Sequence, residues 1–143
     1  MAEANTVDYA EHGAELRAAL EAVEQVIAGR GIEKGLHHLV LLRASQINKC
    51  AFCVKMHTRD ARKDGETNHR LDHLVVWRQV ADFTPREKAA LAWTEALTEL
   101  KDGRDYAPLR AELHAHFTEN EIATLTTIVS MINLWNRIQV SNH

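Results

Sequence analysis

The chain has 143 residues, 45% of them apolar and 26% charged, with a formal net charge of −3. That makes it globular rather than disordered, long enough for one domain with a real core, and one domain over residues 1–143 is expected. Interspersed charges argue against a nucleic-acid partner, no apolar run nears the ~20 residues of a membrane span, and the Met1–Thr6 start shows no leader, so a cytoplasmic protein is expected.

Helical periodicity runs through the chain, and its two prolines and six glycines leave little punctuation. The first helix is predicted from about Asp8 to Ala28, with Leu16, Ala19, Leu20, Val23, Val26 and Ile27 along one side and Gly29 and Gly31 at its end. The second spans about Glu33 to Ile47. Its unbroken Leu39-Val40-Leu41-Leu42 run lacks the alternation of a half-buried strand. A third covers about Cys50 to Lys63, and a fourth about Asn68 to Gln79, burying Leu71, Leu74, Val75 and Trp77. Thr84-Pro85-Arg86-Glu87 combines a capping hydroxyl, a proline at the first helical position and a Glu three residues past the cap, opening a helix to about Leu100. A short helix near Pro108 to His116 follows. Thr118 and Glu121 form a second capping box before a long last helix to about Val140, apolar over more than one narrow stripe. The expected fold is an all-α, compact bundle of about six or seven helices.

The chemistry concentrates in Gln46-Ile47-Asn48-Lys49-Cys50-Ala51-Phe52-Cys53-Val54-Lys55-Met56-His57, which holds both cysteines of the chain. On a helix, residues at i, i+3 and i+7 lie within roughly 60° of one another, so Cys50, Cys53 and His57 are expected on one face. Neighbours at i and i+3 stand about 5–6 Å apart at Cβ, close enough for a disulfide after a small adjustment. In a reducing compartment such a pair is a redox device rather than a staple. A free thiol has a pKa near ~8.5, lowered by a helix N-terminus or an adjacent imidazolium. The helix dipole favours Cys50 as the thiolate and His57 favours Cys53. Thiolate attack on a peroxide gives a sulfenic acid, which the second thiol condenses to a disulfide for an external dithiol to reduce.

Two other readings compete. The cysteines could be core fillers, or Cys50, Cys53, His57 and His38 could hold zinc. The second half of a zinc finger is missing, so neither a metal nor a cofactor is expected beyond the redox-active disulfide itself.

The stretch from Leu39 through Trp77 (LVLLRASQINKCAFCVKMHTRDARKDGETNHRLDHLVVW) resembles the core of the carboxymuconolactone decarboxylase and alkylhydroperoxidase D superfamily. The segments Phe83 to Glu87, Ala92 to Leu97 and Ile132 to Arg137 resemble its short single-domain branch. The resemblance implies an all-helical, AhpD-like fold, assembly into a homo-oligomer (trimer or hexamer), and peroxidase activity of the paired thiols. It also implies that Cys53 attacks the peroxide, Cys50 resolves, and His57 relays the proton. The reductant would be a dithiol, thioredoxin-like or lipoyl partner. His38 stands where the family's relay carries a Glu, twelve residues before the first cysteine, and Phe52 stands where peroxidase members carry a His. A carboxylate at that position would raise the pKa of His57, whereas a second imidazole would tend to lower it; His38 can still move protons near neutrality.

Three functions follow: a thiol peroxidase, a redox-sensing protein with a regulatory disulfide, and a lactone decarboxylase independent of the thiols. Elsewhere, Trp77, Trp93 and Trp135 are expected in the core or at subunit contacts. His37 is expected at the surface or an interface. His69 and His73, at i and i+4, have metal-binding spacing but no evident third ligand. Asn133 and Asn136 need buried partners or solvent, and Arg43 and Gln46 could support the cysteine loop from behind.

Overall fold

The computed structural model describes residues 5–143, so the expectation of no leader falls largely outside it. Among the described residues all regular structure is helical: α1 (Tyr9–His12), α2 (Ala14–Ala28), α3 (Lys34–Ile47), α4 (Ala51–Lys63), α5 (Asn68–His73), a 3₁₀ segment (Leu74–Gln79), α6 (Pro85–Glu99), α7 (Ala107–His116) and α8 (Glu119–Val140). The all-α expectation holds, with eight α-helices rather than six or seven among these residues. The first predicted helix divides at Gly13, whose N–H closes back on the Tyr9 carbonyl. A Cβ there would stand 2.8 Å from Tyr9 Cδ1, so the break needs a residue without one.

The core explains the all-apolar run of α3. This helix packs against α4, α6 and α8 at once. Leu36 and Val40 face a cluster with Ala90, Trp93, Leu125, Ile128 and Val129. Leu39 and Leu42 face a second cluster with Ala61, Leu71, Leu74, Trp77, Phe83 and Leu91. Set between two cores, the Leu39–Leu42 run has no exposed position to keep polar. Each fully buried leucine contributes about 1.5–3 kcal/mol relative to exposure. Both predicted capping boxes form: Thr84 with Glu87, and Thr118 with Glu121.

One expectation about burial is corrected, and one apolar stripe lies bare. The stripe on α2 is mostly bare, with Leu16 66% and Val26 63% exposed, and Ile27 is the buried member. The reason is position: α2 sits at the periphery and meets α1 and α8. Val75 is exposed rather than buried. The predicted fourth helix changes from α to 3₁₀ after His73 and kinks at Val76 (φ −120°, ψ 27°), which turns Val75 outward while Leu74 and Trp77 stay in the core. No helix among the described residues is long and apolar enough to cross a membrane.

Candidate functional site

The site is built on the junction between α3 and α4. At the end of α3 the Lys49 N–H donates to the Gln46 carbonyl (3.2 Å) and the Cys50 N–H to the Ser45 carbonyl (3.1 Å). These two bonds form a Schellman motif, with Lys49 in the left-handed position usually taken by glycine (φ 53°). Cys50 is therefore the last residue of one helix motif and also the N-cap of the next. Its backbone is extended, and its Sγ accepts from the Cys53 N–H at 3.4 Å. Cys50 thus lies half a step outside the helical ridge expected from spacing. Its sulfur nevertheless meets that of Cys53: the two are joined in a disulfide with Cα atoms 5.3 Å apart. Both are closed off from solvent, Cys50 at 0% and Cys53 at 2% exposure.

His57 lies one turn beyond Cys53 on α4 and is buried. Burial pushes its imidazole down from 6.5 to about 4, against the pull of Asp60 and with further lowering by His38 and His37. The sign agrees with a second imidazole replacing a carboxylate in the relay. The structure therefore holds His57 neutral near pH 7 in the disulfide form, not as the imidazolium considered from sequence. Neutral His57 is favoured in the folded state, so its contribution to stability is full above pH 6.5 and is lost as pH falls from 6.5 toward about 4. At 1.36 kcal/mol per unit, going from pH 7 to about pH 5 should cost wild type about 2 kcal/mol more than His57→Gln. Urea unfolding of both oxidised proteins at the two pH values measures this; equal losses would show that the ring is already hydrated.

His38, on α3, donates from Nε2 to Asp64 Oδ2, 2.6 Å away. Lys34 Nζ stands 3.3 Å from the other oxygen of the same carboxylate. The His38 hydrogen bond, opposed by desolvation and helped by Lys34, holds the Asp64 carboxyl below its usual range. His38 Nδ1 is buried with no hydrogen-bond partner among the described residues. A carboxylate is thus present, set behind His38 rather than in its place. Sequence reasoning missed Asp64 because it acts across the α3–α4 pair, 26 residues away. His37 is half-buried, with its imidazole held below the ordinary value by burial and by His38. Phe52 is 54% exposed.

Behind the cysteine turn lies a chain of amides, with Asn136 buried and Asn48 and Asn133 half-buried. Asn48 Nδ2 donates to Asn133 Oδ1 and Asn136 Oδ1, both at 2.9 Å, and Asn136 Nδ2 donates to Ser45 Oγ at 3.0 Å. Asn133 also donates to Thr98 Oγ1 at 3.0 Å. The asparagines of α8 therefore find polar partners and lock Asn48, two residues before Cys50. Arg43 donates to Glu95 (2.8 Å) and to Gln46 (3.1 Å), bracing α3 against α6. The tryptophans have structural roles: their indole N–H groups donate to Glu95, Thr126 and Glu24 for Trp77, Trp93 and Trp135. Two open depressions, about 350 Å³ beside Trp77 and Lys88 and about 180 Å³ beside Val23 and Val26, include neither cysteine.

An all-helical bundle with a Cys-x-x-Cys disulfide at a helix start and an imidazole one turn on is a protein equipped for thiol redox chemistry. The chain belongs to the carboxymuconolactone decarboxylase family, whose sequence pattern matches residues 13–96, and with it to the AhpD-like superfamily. It is 36% identical over 135 residues to YdfG, an uncharacterized protein of Bacillus subtilis (strain 168), covering 94% of this chain and 92% of that one. It is 31% identical over 96 residues to YnjA, an uncharacterized protein of Escherichia coli (strain K12), covering 67% of this chain and 52% of the other. The crystal structure of Atu0492 from Agrobacterium tumefaciens, a protein of unknown function and a candidate AhpD antioxidant defence protein, superposes with a TM-score of 0.88 at 37% identity over 94% of this chain and 92% of that one. A peroxidase-related protein from Silicibacter sp. TM1040 shares the fold, with a TM-score of 0.74 at 21% identity over 85% of this chain and 64% of its own.

Proposed function

We propose that this chain is a thiol peroxidase that reduces organic hydroperoxides or hydrogen peroxide through Cys50 and Cys53. The observation that carries the reading is the buried disulfide at the start of α4 with His57 one turn along the same helix. In the reduced protein, neutral His57 accepts the Cys53 thiol proton, and the new thiolate in turn raises the basicity of the imidazole. The thiolate sulfur attacks one peroxide oxygen, the O–O bond breaks, and the proton passes to the departing oxygen. The products are an alcohol or water and a Cys53 sulfenic acid. The Cys50 thiol then displaces water to form the disulfide.

The N-cap position of Cys50 acts in the other half of the cycle. An external dithiol attacks the Cys53 sulfur, and Cys50 leaves as a thiolate stabilised by the Cys53 N–H and the start of α4. Because both sulfurs are covered, the turn at residues 48–52 opens to admit the reductant. A small thioredoxin-like or lipoyl dithiol suits that opening. Dependence on such a reductant fits a cytoplasmic setting. His38, held by Asp64, serves as the second proton carrier. The bare apolar stripe of α2, with Leu16 and Val26, supports a homo-oligomer.

Covered sulfurs also favour a second reading, a redox sensor whose disulfide forms without fast turnover. One experiment separates the two. Reduced protein treated with one equivalent of peroxide should consume it and lose two hydrogens from the Cys50–Cys53 peptide, at a rate far above that of a free thiol. A rate equal to a free thiol would move the assignment to the sensor; no disulfide at all would remove both readings.

A further inference from the structure

The structure assigns a second, separate site: we propose that His69, His73 and Asp82 bind a divalent late first-row transition metal, zinc foremost. Spacing in the sequence offered two imidazoles and no third ligand. The fold supplies the third by returning the turn before α6 across the start of α5. His69 Nε2 lies 3.1 Å and His73 Nδ1 2.7 Å from the same atom, Asp82 Oδ2. The two rings stand 4.2 Å apart at their centroids, 67° from parallel. All three donor atoms fall within 4.8 Å of one another. Around a tetrahedral zinc with bonds of about 2.0–2.1 Å, neighbouring donors are about 3.3 Å apart, so modest side-chain adjustment closes this set on an ion.

The donor types select the metal. Calcium takes six to eight oxygen ligands and magnesium a shell rich in oxygen and water; this site offers one carboxylate and two nitrogens. Imidazole with carboxylate suits zinc, copper, nickel or iron. The ring N–H that now faces Asp82 gives way to a metal bond, its proton moving to the opposite nitrogen or, from an imidazolium, to solvent.

The turn that carries Asp82 is braced from outside the site. Arg70 Nη1 donates to the Asp82 carbonyl at 2.7 Å, which fixes the turn independently of any ion. The Arg70 charge is itself met by Glu66 and Glu87. Asp82 is anchored, with a side chain 15% exposed, while His69 is 69% exposed. Ions therefore reach the site freely, and the outer coordination positions are left to water. A bound ion would clasp α5 to the turn before α6, over the cluster containing Leu71, Leu74 and Phe83.

The test uses the full chain without a polyhistidine tag, in the disulfide form so that no thiolate competes. Calorimetric titration with zinc chloride should give one ion per chain. His69→Ala and Asp82→Asn should each weaken binding at least ~10-fold, and His116→Ala should leave it unchanged. Cobalt(II) should give ligand-field bands without thiolate charge transfer. Zinc should raise the Tm of wild type and not of His69→Ala, because an ion that binds the native state alone stabilises it. Absence of one-to-one binding at about 0.1 mM zinc, or affinity unaltered by His69→Ala, overturns the proposal. His69 is exposed enough that its removal leaves folding intact, and no step involves the cysteines, so this result stands apart from the peroxidase assay.

Discussion

Cys53→Ser should abolish peroxide consumption, lowering the rate on the order of 10³-fold or more, to the background of an ordinary thiol. Cys50→Ser should behave differently. It should complete one turnover and stop, with one added oxygen on Cys53 that mass analysis detects and dimedone captures. The asymmetry comes from the place of each sulfur. Cys53 is inside the first turn of α4, and helical spacing puts the proposed proton acceptor, His57, one turn on from it. Cys50 is the cap, its sulfur met by a backbone N–H that would stabilise a thiolate there, and it lies seven residues before His57 instead of four. A captured oxygen on Cys50 in the Cys53→Ser protein would exchange the two roles. Equal loss in both variants, with no sulfenic acid in either, would leave the sulfurs without a peroxidatic part.

Much of this arrangement was legible in the sequence, and the parts that were not share a physical cause. Local signals carried the helix ends: Thr84-Pro85-Arg86-Glu87 and Thr118 to Glu121 form the capping boxes their residues specify. The Cys-x-x-Cys spacing brought the sulfurs together, and the fold class followed from period alone. The break at Gly13 carried a glycine signal that a continuous apolar stripe outweighed. The 3₁₀ segment carried none: Val75 and Val76 read as helical, and the kink arises where Leu74 and Trp77 must both reach the core. Polar pairs between distant segments were the least visible. Asp64 on His38, Asp82 on His69 and His73, and Asn48 on Asn136 join residues that nothing local relates, because helix packing decides which polar groups meet. Lys49 is similar: its left-handed backbone would have been foreseen from a glycine, and here the Schellman bonds impose it on a lysine.

Glu95→Ala should destabilise the fold by about 3–5 kcal/mol, more than most single substitutions. Glu95 is 6% exposed in the middle of α6. Its carboxylate accepts from Arg43 Nε at 2.8 Å and Trp77 Nε1 at 3.1 Å, and from Arg78, whose guanidinium also stacks on the Trp77 ring. Burial alone would push this carboxyl up; the bonds from Trp77, Arg43 and Arg78 outweigh it and hold the group below its usual range. Truncation removes the acceptor and strands the donors. Arg43, with a side chain 17% exposed, is left without its counter-charge, and the Trp77 N–H is left in the core without a partner. Glu95→Gln keeps the shape and one acceptor, so its cost should be smaller. Replacing Arg43 and Glu95 together by Met and Leu should recover part of the loss, since an apolar pair of similar volume is often no worse than a buried ion pair. Urea midpoints for the three variants measure this. If Glu95→Ala cost under about 1 kcal/mol, the range of a surface ion pair, water would have to reach the pair freely. The effect should also reach the cysteine pair, because Arg43 braces the last turn of α3, where the Ser45 carbonyl accepts from the Cys50 N–H. Glu95→Gln, still folded, should therefore slow disulfide formation without touching either sulfur.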